Sequence, residues 1–152
     1  MQTRTIIGLS LIVAGVMIWV ASTPAGLPDP PADSFTIAVI PDTQGYQEVK
    51  GTVINSNLDL ITKWIAENQT KQRIVFVSHV GDIVADNVHP QWKVAQRLMN
   101  RLHGKIPYAI SVGNHDMNED GESKKYQKYF GQQRFDAFGW YGGCFQPSAQ
   151  GK

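Results

Sequence analysis

Three short polar clusters hold the residue types able to do chemistry: Pro41-Asp42-Thr43-Gln44, Gly81-Asp82-Ile83-Val84 and Gly113-Asn114-His115-Asp116. Together they offer carboxylates, side-chain amides and one imidazole, groups that ligate cations and carry protons. Taken singly, each cluster is an ordinary turn: an Asp after proline, a Gly-Asp bend, a Gly-Asn loop start. Their placement is what sets them apart, because each directly follows an apolar, β-prone run.

Those runs are Phe35 to Ile40, Arg73 to Val80 and Ile106 to Val112. Each is nearly continuous in apolar residues, as a strand buried on both faces is, and each stops at a polar cluster. Between the first two, Ile54, Leu58, Ile61 and Ile65 recur at helical spacing with Trp64 beside them. Between the second two, Pro90 suits a first helical position, Trp92, Ala95, Met99 and Leu102 share one face, and Gly104 can end the helix. The order strand, helix, strand, helix, strand predicts an α/β fold with a βαβαβ unit on a buried, largely parallel sheet. In open α/β sheets ligands bind beyond the carboxyl ends of the strands, where all three clusters fall. Farther on, Glu122 to Phe130 is expected as a short helix and Phe135 to Phe145 as an aromatic, glycine-rich loop on the domain edge.

With these residues in place, the sequence resembles the calcineurin-like metallophosphoesterases, whose pattern is D-x-H, then G-D, then G-N-H-[DE], each after a β-strand. The resemblance runs from roughly Phe35 to Asp116, and Trp140-Tyr141-Gly142-Gly143 looks like a segment of some members. It implies the N-terminal part of a layered metallophosphoesterase-type α/β fold. It also implies that Asp42 binds one metal, Asp82 bridges two, Asn114 binds the second through its amide oxygen, His115 sits above the phosphate and Asp116 orients His115. The implied cofactors are two divalent ions, with Mn, Fe, Zn, Mg and Ca all left open, and the implied substrate is a phosphate ester hydrolysed by a metal-activated hydroxide. A bridging carboxylate suits that chemistry, holding two ions roughly 3.5–4 Å apart to clamp the attacking and leaving oxygens. An imidazole such as that of His115 suits protonation of the departing oxygen.

Two departures qualify the expectation. Gln44 stands where most members have histidine, as in a D-T-Q subset of the family, and an amide oxygen there favours manganese, magnesium or calcium over zinc. Members also supply metal-binding histidines from later G-H and G-H-x-H segments, whereas no histidine occurs after His115 here. The others are read as strand packing (His79), helix capping (His89) and dipole compensation (His103). The chain stops at Gln150-Gly151-Lys152 without a closing element, so the expectation is a truncated piece that binds metal poorly.

The remaining features bound the partners. With a net charge of +1, a pI near 7.9 and both signs interspersed, the chain has no nucleic-acid footprint. A hydrophobic fraction of 42% and a charged fraction of 18% are those of a globular domain. The single cysteine, Cys144, excludes an internal disulfide. Residues 1–22 read as a secretory signal or membrane anchor, with the apolar run at 6–20 as its core. Arg4, the only basic residue before Lys50, directs the chain beyond Val20 across the membrane, predicting a secreted, periplasmic or surface-held protein. Residues 23–34, with four prolines, read as an extended linker, and 35–152 as the metallophosphoesterase portion.

A hydrolase is the leading reading and a non-catalytic metal- or phosphate-binding remnant the alternative. A third, an interaction surface made by Tyr126, Tyr129, Phe130, Phe135, Phe138, Trp140 and Tyr141, gives way to edge packing of those rings.

Overall fold

The computed structural model describes residues 27–143. The signal or anchor at 1–22, the first part of the linker, Cys144 and Phe145 lie outside the described residues. Among the described residues, no helix is long and apolar enough to cross a membrane.

Three parallel strands carry the domain: β1 (Thr36–Ile40), β4 (Ile74–His79) and β5 (Tyr108–Ile110), side by side in that order. They form the predicted runs, with β5 shorter than expected. Pro107 has no N–H for the ladder, although its carbonyl accepts from Val77 N (3.0 Å). Helices α1 (Ser56–Asn68) and α2 (His89–Met99) make the crossovers, completing the expected βαβαβ order, and α3 (Lys124–Phe130) is the expected short helix.

The sequence pattern gave no sign of a hairpin between β1 and α1, made of β2 (Gln47–Val49) and β3 (Thr52–Ile54). Its turn residues Lys50 and Gly51 both have positive φ (51° and 75°), the combination whose twist matches paired antiparallel strands. Ile54, expected in the helical row, belongs to β3 instead. The helix starts after Asn55, whose extended backbone and side-chain oxygen cap Leu58 N at 3.0 Å. Leu58, Thr62 and Ile65 then form its buried face, while Trp64 stays partly exposed beside it.

One face of the sheet, bearing Ile40, Val77, His79, Tyr108 and Ile110, is buried with Trp92, Ala95, Leu98 and Met99 of α2 and with Leu58 and Ile65 of α1. Arg101 joins the two helices, reaching Asp59 Oδ1 (2.6 Å), the Asp59 carbonyl (2.8 Å) and Thr62 Oγ1 (3.0 Å). The other face departs from expectation. Within residues 27–143 Ile37 is 52% exposed and Val39 62%, so this part of β1 is left open among the described residues. The aromatics do pack on one another. Trp92 stacks on Tyr129, Phe135 meets Tyr108 edge-on, and Phe138 stacks on Trp140, beside a cleft of about 520 Å³ along β5.

The proline-rich segment is less free than a tether. Arg73 donates to the carbonyls of Pro31 (2.8 Å) and Ala32, and Gln72 reaches the Leu27 carbonyl (3.5 Å). Residues 27–34 thus lie against the start of β4.

Candidate metal centre

The three clusters leave the carboxyl ends of the parallel strands and converge there. The first turns on Asp42, whose Oδ1 accepts from Gln44 N and Oδ2 from Gln44 Nε2, both at 2.9 Å. The side-chain amide of Gln44 therefore braces the Asp42 carboxylate. Thr43 points inward and is buried, with its N–H donating to the Asp82 carbonyl (3.3 Å) and its carbonyl accepting from Asn55 Nδ2 (2.6 Å). The α1 cap thus also fixes the first loop.

The second loop is tightly wound. Gly81 has φ 106° and Asp82 φ 52°, a left-handed backbone that is costly for a residue with a Cβ. Such strain persists only where surrounding contacts impose it, and it gathers at functional sites. Here the contacts come from the third loop. His115 N donates to Asp82 Oδ1 (2.8 Å), and a Cβ on Gly81 would lie 2.8 Å from Gly113 N. Gly113 is held to glycine still more strictly, since a Cβ there would overlap the Asp82 side chain and amide.

Asp116 has no exposed surface. Its Oδ2 accepts from Gly113 N (3.0 Å) and its Oδ1 from Ile83 N (3.0 Å) and Val84 N (3.3 Å). Burial raises its pKa against the pull of those amides. The carboxylate thus staples the third loop to the second, while the imidazole it was expected to orient is bonded elsewhere. His115 Nδ1–H donates to the Ala85 carbonyl (2.6 Å), which leaves Nε2 available on an exposed ring. That carbonyl is the first cause of a raised His115 pKa. Desolvation opposes it, and the Asp82, Asp42 and Asp116 carboxylates reinforce it. Gln91 holds the Ala85 segment from α2, its Oε1 accepting from Ala85 N (2.8 Å) and Asp86 N (2.9 Å).

All six residues singled out in the sequence, Asp42, Gln44, Asp82, Asn114, His115 and Asp116, lie on these three adjoining loops. The supporting residues Tyr46, Asn55, Ala85 and Gln91 were not foreseen. Tyr46 donates to the Ile83 carbonyl (2.8 Å). Of these, only the Asn55-Ser56 pair ahead of an apolar helical row carried a sequence signal.

The other histidines are engaged: His79 within the sheet end, His89 with Tyr129 OH (3.0 Å) and His103 with Tyr108 OH (3.2 Å). Among the described residues, no three His, Cys, Asp or Glu side chains gather into a metal-holding group. What the loops do supply is two carboxylates and two side-chain amides, hard oxygen donors whose chemistry fits Mg²⁺, Ca²⁺ or Mn²⁺.

Comparison with known proteins bears on this arrangement. A family model described as calcineurin-like phosphoesterase matches residues 35–149. An uncharacterized Bacillus subtilis (strain 168) protein, YvnB, is 40% identical over 121 residues, covering 77% of this chain. The chain spans 9% of the length of that relative.

Proposed function

The chain belongs to the calcineurin-like phosphoesterase family, and from that premise we propose that its three loops form a metal-dependent site for phosphate-ester hydrolysis. The observation that carries the proposal is the join at Asp82, a carboxylate on a left-handed backbone that accepts from His115 N beside the Asp42 loop. Asp42 and Asp82 would hold the cations, with the amide oxygens of Asn114 and Gln44 completing the oxygen set. Divalent ions so held supply Lewis acidity toward a phosphoryl oxygen and an acidified water.

The chain's own residues do the rest. The side chain and backbone N–H of Gln44 fix the Asp42 carboxylate, and the Asp116 staple fixes Asp82 relative to His115. His115, oriented through Nδ1 by the Ala85 carbonyl, presents Nε2 outward, and its raised pKa keeps it protonated nearer neutrality. It is therefore placed to give a proton to the departing alkoxide. The basic-then-apolar order of residues 1–22 supports an extracytoplasmic setting for this chemistry.

Hydrolysis of p-nitrophenyl phosphate and bis-p-nitrophenyl phosphate by metal-stripped protein, with Mn²⁺, Mg²⁺, Ca²⁺, Fe²⁺ or Zn²⁺ added back, tests the proposal. Turnover restored by an oxygen-preferring ion and lost in Asp82→Asn supports it. No turnover with any ion contradicts it. In that case the second reading, binding of a metal or a phosphate-bearing ligand without catalysis, would stand.

A further inference from the structure

His79 was expected to be strand packing, yet its environment is that of a polar joint. It is the last residue of β4, has no exposed surface, and pairs in register with Ile40 at the end of β1 and Ile110 at the end of β5. Both ring nitrogens are spent on neighbours: Nδ1 lies 3.2 Å from Gly81 N, and Nε2 lies 3.0 Å from Thr43 Oγ1. A backbone N–H can only donate, so Nδ1 must be the acceptor. The ring proton therefore sits on Nε2 and is donated to the threonine hydroxyl.

This geometry has a direct bearing on the loops. Thr43 lies between Asp42 and Gln44, and Gly81 immediately precedes Asp82, so one rigid imidazole is bonded to both carboxylate-bearing loops. We infer that His79 is a positioning residue that sets the separation of the Asp42 and Asp82 carboxylates by bonding Thr43 and Gly81 at once. The inference rests on reading those two carboxylates as cation ligands. A purely packing role would be filled as well by Phe or Leu. The two bonds need an acceptor and a donor on opposite sides of one flat ring, which among neutral side chains only imidazole supplies. The two loops are also joined by Thr43 N to the Asp82 carbonyl (3.3 Å) and by Tyr46 OH to the Ile83 carbonyl (2.8 Å), and the His79 bridge adds a side-chain link from the end of β4 to both of them.

The test uses the full chain and three variants: His79→Phe, His79→Gln and Thr43→Val. Two quantities are read, the Mn²⁺ dissociation constant by calorimetry and, without metal, amide hydrogen exchange across residues 42–44 and 81–84. His79→Phe and Thr43→Val are each expected to weaken Mn²⁺ binding about tenfold, the scale seen when a group supporting a ligand is lost. A fourth variant, His79→Phe combined with Thr43→Val, should be no worse than His79→Phe alone, because the one bond that Thr43→Val breaks is among the two that His79→Phe breaks. Exchange should quicken in both loops and stay unchanged in α2, and His79→Gln, which can still reach Thr43, should recover part of the affinity. Folded variants with wild-type affinity and wild-type loop exchange would overturn the inference. If His79→Phe fails to fold, Thr43→Val, which removes only the hydroxyl, carries the test. If the unaltered chain binds no Mn²⁺, the cation reading fails while the loop exchange still decides whether His79 joins the loops.

Discussion

A buried group that must stay neutral leaves a mark on stability, and His79 is such a group. Burial lowers its pKa from 6.5 to about 4, even though Asp42 and Asp82 pull the other way. In the unfolded chain the same ring gains a proton near its ordinary value, so between these two pKa values the unfolded state binds more protons and stability rises with pH. The contribution is intact above pH ~7 and is lost as pH falls from about 6.5 to 4, reaching roughly 3 kcal/mol. Urea midpoints at about pH 7 and pH 4.5 should differ accordingly, and His79→Gln should flatten that limb. Asp116 gives a second prediction at this scale. Replacing its three-amide acceptor by an amide in Asp116→Asn turns an NH₂ toward a backbone donor and should cost about 3 kcal/mol in urea unfolding. The placement of the candidate site's ionisable residues on adjoining loops was legible in the sequence because each lies just past a strand. Their hydrogen-bond partners were not, since Ala85 contributes a carbonyl and Gln91 a long amide that bridges loop to helix, and neither role depends on a recognisable spacing.

Elements set the loops in place through their ends. Asn55 does so twice, capping α1 with its oxygen and holding the Thr43 carbonyl with its nitrogen. Asn55→Ala should therefore cost about 1–2 kcal/mol, more than an ordinary cap, and quicken amide exchange in both the first helical turn and the 42–44 loop. The strands and helices that carry the site were readable from long apolar runs and a helical period of about 3.6 residues. The β2–β3 hairpin was not. Its strands are three residues each, Gln47–Val49 is wholly exposed, and Lys-Gly is a weaker turn signal than Asn-Gly. Ile54 was drawn into the helical row because it keeps that spacing one residue ahead of the cap. Pro107 likewise shortened β5 at its start, a sign that the apolar residues around it outweighed in the pattern.

For the whole molecule, the described residues form a one-sided core. Val77 is fully buried against the helices, whereas Val39 on the neighbouring strand faces outward. Val77→Ala should cost about 2–3 kcal/mol, and Val39→Thr should stay within about 0.5 kcal/mol in this chain, as thermal unfolding of the pair would show. The composition made a globular domain legible, but the apolar runs suggested a sheet covered twice, because strand hydrophobicity does not say which element covers which face. The family assignment and the convergence of the Asp42, Asp82 and His115 loops support the proposal of a cation site at this end of the sheet. The most direct measurement is a calorimetric Mn²⁺ titration of metal-stripped protein, comparing the unaltered chain with Asp42→Asn and Asp82→Asn. Saturable binding should weaken in Asp42→Asn and disappear in Asp82→Asn; equal binding in all three proteins would rule out these carboxylates as cation ligands.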